Sequence, residues 1–120
     1  LLIPEITIDL ELELSEITPK FFRILQQMGP FGPQNMKPVF KTTSIRDNGY
    51  GKTVGSDKSH LKLSIIDGAD QKTYNAIGFG LGNKIKLIKG DFDIAYSLDE
   101  NEWKGNTSIQ LILKDLKNIQ

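Results

Sequence analysis

Side chains able to do covalent or metal chemistry are few in this sequence, and none stands in the spacing that such chemistry needs. His60 is the single histidine and there is no cysteine, so a zinc or thiolate centre has neither a second imidazole nor a sulfur to complete it. Asp67, Asp70, Asp91, Asp93, Asp99 and Glu100 fall in turns or on the polar side of alternating runs, where solvated surface charge is their expected role. Gly51-Lys52-Thr53 has the close of a phosphate-binding loop, but the glycine required five residues before Gly51 is Arg46. Gly78, Gly80 and Gly82 fail the dinucleotide fingerprint similarly, since its third glycine would fall at Asn83. Asn106-Thr107-Ser108 has the form of a glycosylation sequon, with no secretory signal to give it meaning. Nothing converges as a nucleophile with a base or as matched carboxylates, which speaks against a free-standing enzyme.

What remains is a possible face. If Leu61, Leu63 and Ile65 point into a core, His60, Lys62 and Ser64 share the opposite side. On the next run Ile77 and Phe79 are the expected inward residues, which turns Lys72 and Tyr74 outward. Pairing of these two strands through Asp67-Gly68-Ala69-Asp70 would join Lys62, Lys72, His60 and Tyr74 on one surface, a set suited to phosphates and stacked bases. A plain solvated sheet would carry the same lysines. Trp103, in the turn Asn101 to Gly105, either packs over a barrel end or offers its ring to a base, and Phe31 is expected to fold back on the helix before it.

The elements that must position these residues are legible as periods. Ile6, Ile8, Leu10, Leu12 and Leu14 alternate with polar residues, which predicts a half-buried strand. Thr18 and Pro19 read as an N-cap and first turn, and Phe21, Ile24, Leu25 and Met28 follow at helical spacing until Gly29 and Pro30 end the helix. Gly29 to Pro33 is a rigid loop. Strand-like runs then occupy 39–45, 52–54, 60–65, 72–79, 91–98 and 107–116, with a helical turn over 83–88. Main strands with a short helix between the third and fourth give a mostly β fold, a five-stranded OB-type barrel with an N-terminal strand and helix. One domain spans 1–120: an acidic connecting strand over 1–16, helix and Pro/Gly loop over 17–33, and barrel over 37–118.

The composition, 38% hydrophobic and 25% charged over 120 residues, is that of an ordinary soluble domain. No apolar run nears the ~20 residues of a bilayer span, and the absence of cysteine suits the cytoplasm. Net charge is zero, yet five of the fifteen acidic groups lie in residues 1–16, which hold no Lys or Arg. Residues 17–120 are therefore net +5. The chain begins with Leu1 and reads as a piece of a longer protein.

At this point a family resemblance enters. Pro4-Glu5-Ile6 with Ile8-Asp9, Pro30-Phe31-Gly32 with Asn35, Pro38, Val39 and Phe40, and Gly55, Asp57-Lys58 and His60-Leu61-Lys62-Leu63 form its first part. Ala76-Ile77-Gly78-Phe79-Gly80, Asn101 with Trp103 and Gly105, and Gln110-Leu111 with Asp115 continue it in order. The chain resembles the OB domain of RecJ-type exonucleases, which degrade single-stranded DNA from the 5′ end in repair and recombination. The resemblance implies that a DHH phosphoesterase core elsewhere in the same polypeptide carries the catalysis and the manganese or magnesium, with no cofactor in this fragment. It implies single-stranded DNA as the partner; the face read from the alternation then gives Lys58, His60, Lys62, Lys72 and Tyr74 as the expected binding residues, with Arg46, Lys52 and Trp103 as flanking contacts. The alternative is a structural domain that docks on the core through its acidic strand and the Gly29 to Pro33 loop.

Overall fold

A computed structural model describes residues 6–29, 37–67 and 72–118. Seven strands lie among them: β1 (Leu10–Glu11), β2 (Phe40–Asp47), β3 (Lys52–Val54), β4 (His60–Ile66), β5 (Thr73–Gly78), β6 (Phe92–Trp103) and β7 (Asn106–Asn118). Alternation decides their sides. Leu61, Leu63 and Ile65 on β4, Phe92, Ile94, Tyr96 and Leu98 on β6, and Leu111 and Leu113 on β7 are all buried in one cluster.

The sheet runs β1-β2-β6-β7-β5-β4-β3, and a further β2–β4 pairing closes five of these strands into a ring. Its joins are antiparallel except β5–β7, which is parallel and pairs at Ala76–Leu111 and Ile77–Ile112. The 3-10 helix Gly82–Ile88 lies between the third and fourth strands of the ring. This is the OB-type barrel that the strand order predicts.

β3 continues the line of β2 along β4, with Asp47 opposite Ile65 and Lys52 opposite Lys62. The intervening turn is fixed by one carboxylate. Asp47 Oδ2 accepts from the Gly49 and Gly51 amides at 2.9 and 2.8 Å, and its Oδ1 accepts from the Ser64 amide at 3.2 Å. A Cβ on Gly51 would lie 2.7 Å from both Ile88 Cδ1 and Leu63 Cδ2 and 2.9 Å from Asp47 Oδ2, so a larger residue there would make these side chains shift.

Helix α1 (Pro19–Gln27) starts as its sequence predicts: Thr18 Oγ1 accepts from the Phe21 amide at 3.1 Å, with proline at the first position. Its buried face differs from the expected stripe. Phe22 is buried, Phe21 meets Phe40 edge-on at 5.9 Å, and Ile24 and Met28 are exposed. α1 lies by the Thr73–Asn75 end of β5, whereas the 3-10 helix lies by the opposite end, where the Gly82 amide donates to Ser59 O at 2.9 Å.

The N-terminal segment is corrected more strongly. Leu10 and Glu11 pair parallel with β2 and Leu14–Glu16 forms a 3-10 turn, while Ile6, Ile8 and Leu10 are exposed and Leu12 and Leu14 buried. Period two identifies residues that share a side. It does not require that side to face the core along its length, and this segment runs past the barrel wall before Leu12 enters it. The entry is tied by a buried hydroxyl chain, in which Tyr96 OH lies 2.7 Å from Thr42 Oγ1 and Thr42 donates to Leu12 O at 2.9 Å. Burial pushes the Tyr96 phenol up to about 12, the Thr42 hydrogen bond offsetting part of that effect. Beyond Gly29, the predicted Pro/Gly loop with Phe31 lies outside the described residues, as does the turn after Asp67.

Candidate nucleic-acid interface

With the leucines of β4 inside, Lys62 is exposed and His60 half-exposed on the outer surface. Lys52 on β3 stands directly opposite Lys62, also exposed. Neither lysine makes an ion pair with a described residue; the three pairs present are Lys37–Asp99, Arg46–Asp91 and Lys84–Asp115. Like charges opposite each other across a strand pair are destabilising, and an anion lying over both relieves that repulsion.

The adjacent strand has the opposite phase from the expected one. Tyr74, Ala76 and Gly78 are buried, opposite Ile65, Leu63 and Leu61, and Thr73, Asn75, Ile77 and Phe79 point outward. The barrel interior is already filled by the β4 leucines, so small residues fit opposite two of them. At Gly78 a Cβ would lie 2.8 Å from Leu81 Cδ1. Tyr74 is thus a core residue and not part of the outer face. Phe79 takes the exposed aromatic place, 62% accessible, with its ring edge-on to His60 at 5.5 Å.

His60 is held in position. Its Nδ1 accepts from the Gly80 amide at 3.0 Å, which puts the ring proton on Nε2, near Ser59 Oγ at 3.5 Å. Lys58, at φ 58°, is exposed in the turn whose Lys58 amide donates to Gly55 O at 3.1 Å, and it borders the face. Beside it, Asp57 is held below the usual carboxylate range, mainly by hydrogen bonds from Ser59.

The remaining predicted residues are elsewhere. Arg46 Nε donates to Asp91 at 2.7 Å, a solvent-exposed pair that raises the guanidinium pKa further and gives its charge a partner. Lys72 is exposed at the far end of β5, with Nζ 5.3 Å from the centre of the Tyr74 ring. Trp103 is 70% exposed, with Lys104 Nζ 5.7 Å from its ring. It ends a strand that runs longer than expected, because Lys104 and Gly105, at φ 51° and 82°, form a two-residue type I′ hairpin turn.

The structure therefore brings Lys52, His60 and Lys62 together with Lys58 at their border, and leaves Arg46, Lys72, Tyr74 and Trp103 outside the group. Sequence reasoning missed Phe79 and also Tyr50, 82% exposed on the Asp47-pinned turn. Each is an aromatic between two glycines, Gly78 and Gly80 or Gly49 and Gly51. That signal marks a ring with no neighbour large enough to cover it. Among the described residues no three His, Cys, Asp or Glu side chains gather as metal ligands would. No helix among them is long and apolar enough to cross a membrane.

The closed ring with its interposed helix defines an OB domain. A family model described as the RecJ OB domain matches residues 8–115, and the chain belongs to that family. It is 27% identical over 116 residues to the single-stranded-DNA-specific exonuclease RecJ of Bacillus subtilis, and 26% identical over 117 residues to the protein of the same name from Escherichia coli. These alignments take in 94% and 93% of this chain but 14% and 19% of the relatives, so the chain spans under a fifth of their length. A crystal structure of RecJ from Thermus thermophilus in complex with Mg2+ shares the fold, with TM-score 0.62 and 22% identity over 85% of this chain and 15% of that one.

Proposed function

We propose that this domain holds single-stranded DNA for a RecJ-type exonuclease and performs no hydrolysis itself. The observation that carries the reading is the pair Lys52 and Lys62, opposite each other and without an ion pair among the described residues, beside an exposed Phe79 backed by His60. Lysines follow the phosphates and the Phe79 ring stacks on an unpaired base, which selects single strands without reading sequence. Lys58 and Tyr50 border this track. Cleavage from the 5′ end, with its manganese or magnesium ions, belongs in this reading to a DHH core elsewhere in the polypeptide, acting in cytoplasmic DNA repair and recombination.

Titration with labelled single-stranded and duplex DNA at two salt concentrations tests the proposal. Single strands should bind more tightly, with a slope of log K against log salt of about −2 to −3.5 if roughly three to five phosphates are contacted. Incubation with manganese should leave the DNA at full length. A second reading, docking on the core, is favoured by exposed Ile6, Ile8 and Leu10. Absence of binding to either DNA form at low salt, with the domain folded, would favour docking.

A further inference from the structure

β5 and β7 pair at Ala76–Leu111 and Ile77–Ile112 and separate toward Thr73 and Asn106. α1 lies across this opening and leaves a groove of about 450 Å³. Tyr74 and Ile109 are among its lining residues, and Arg23 of α1, Asn75 of β5 and Ser108 of β7 supply polar groups. Arg23 is exposed and makes no ion pair among the described residues. Lys72, outside the Lys52–Lys62 group, lines the same groove. Glu100, also at this groove, is a charge of the opposite kind.

Asn75, Ile77 and Phe79 share the outward side of β5. A strand of DNA that stacks on Phe79 and follows β5 therefore reaches Thr73, at the mouth of the groove that Arg23 also lines, after about 20 Å, taking six residues at ~3.3 Å each. We infer that this groove is the continuation of the DNA track: the guanidinium of Arg23 grips a phosphate, while Asn75 and Ser108 hydrogen-bond the backbone. Arg suits this role because its planar fork can bind two phosphate oxygens at once. The inference rests on the proposed DNA-holding function and gives it a length, since the Phe79 end alone serves a few nucleotides whereas OB folds engage ~4–16.

Fluorescence anisotropy with oligothymidylates of about four and about twelve nucleotides tests it. Arg23→Ala should bind the short oligomer within about twofold of the parent chain, yet bind the long one about five- to tenfold more weakly, with a salt slope shallower by ~0.7. Ser108→Asp, which puts a charge on the opposite wall, should reproduce the length-dependent loss without touching α1. Lys62→Ala should weaken both oligomers. If Arg23→Ala and Ser108→Asp both bind the long oligomer like the parent while Lys62→Ala is impaired, the groove inference falls and the face reading stands. If the parent chain binds neither oligomer, both readings fall.

Discussion

The two sides of β4 and β5 obey different rules. Inward, Leu61, Leu63 and Ile65 meet Gly78, Ala76 and Tyr74 in a filled interior. Outward, Lys62 faces Lys52 without a counter-charge among the described residues, and Phe79 stands in solvent. Folding explains the first arrangement, because buried apolar area stabilises it. The second is mildly unfavourable in the isolated domain, and in the proposed function an anionic, ring-bearing ligand relieves it. A surface that opposes stability is more informative about function than one that supports it.

Substitutions should keep the two sides separate. The largest effect is expected inside: Leu63→Ala should cost ~2–5 kcal/mol of stability by chemical denaturation, through lost burial and the cavity left behind. Next is Tyr96, whose raised phenol favours the folded state while protonated. Its contribution is complete below the ordinary tyrosine value of about 10 and is lost as pH rises through 12, about 2–3 kcal/mol in all. Tyr96→Phe should remove that alkaline limb from a stability–pH curve. Outside, Phe79→Ala should weaken single-strand binding by ~1–3 kcal/mol if the ring stacks, with the melting temperature nearly unchanged. Smallest is Lys52→Ala, which should make the salt slope shallower by ~0.7 and raise stability by a few tenths of a kcal/mol. Arg46→Ala, whose charge Asp91 already answers, is its control and should leave binding unaltered. A melting transition that collapses in Phe79→Ala, or binding that vanishes in Arg46→Ala, would break the division between the sides.

The inner side was also the more legible in sequence. β4 and β6 announce their phase because Leu61, Leu63 and Ile65 in the one, and Phe92, Ile94, Tyr96 and Leu98 in the other, alternate and are all buried. β5 misleads because its bulky Ile77 and Phe79 face outward and its interior positions after Tyr74 are Ala76 and Gly78. Which phase wins depends on the volume left by β4 across the barrel, a tertiary quantity that periodicity in one strand does not contain. The same limit hid Phe22 as the anchor of α1. The outward side of His60 and Lys62 was readable because the phase of β4 fixes it, and Lys52, named only as a flanking contact, joins them through its pairing opposite Lys62. Phe79 was missed with the phase of β5, and the Arg46–Asp91 pair joins residues far apart in the chain.

The parallel β5–β7 seam also bears on the order of folding. Ala76 and Leu111 are distant in sequence, whereas β6 and β7 meet through the two residues Lys104 and Gly105. Loop-closure entropy makes the hairpin an easy early event and the seam a late one. The last join formed is expected to be among the first to open, so whichever of the Ala76 and Ile77 amides donates across the seam should exchange faster than the Leu98 amide on the hairpin ladder.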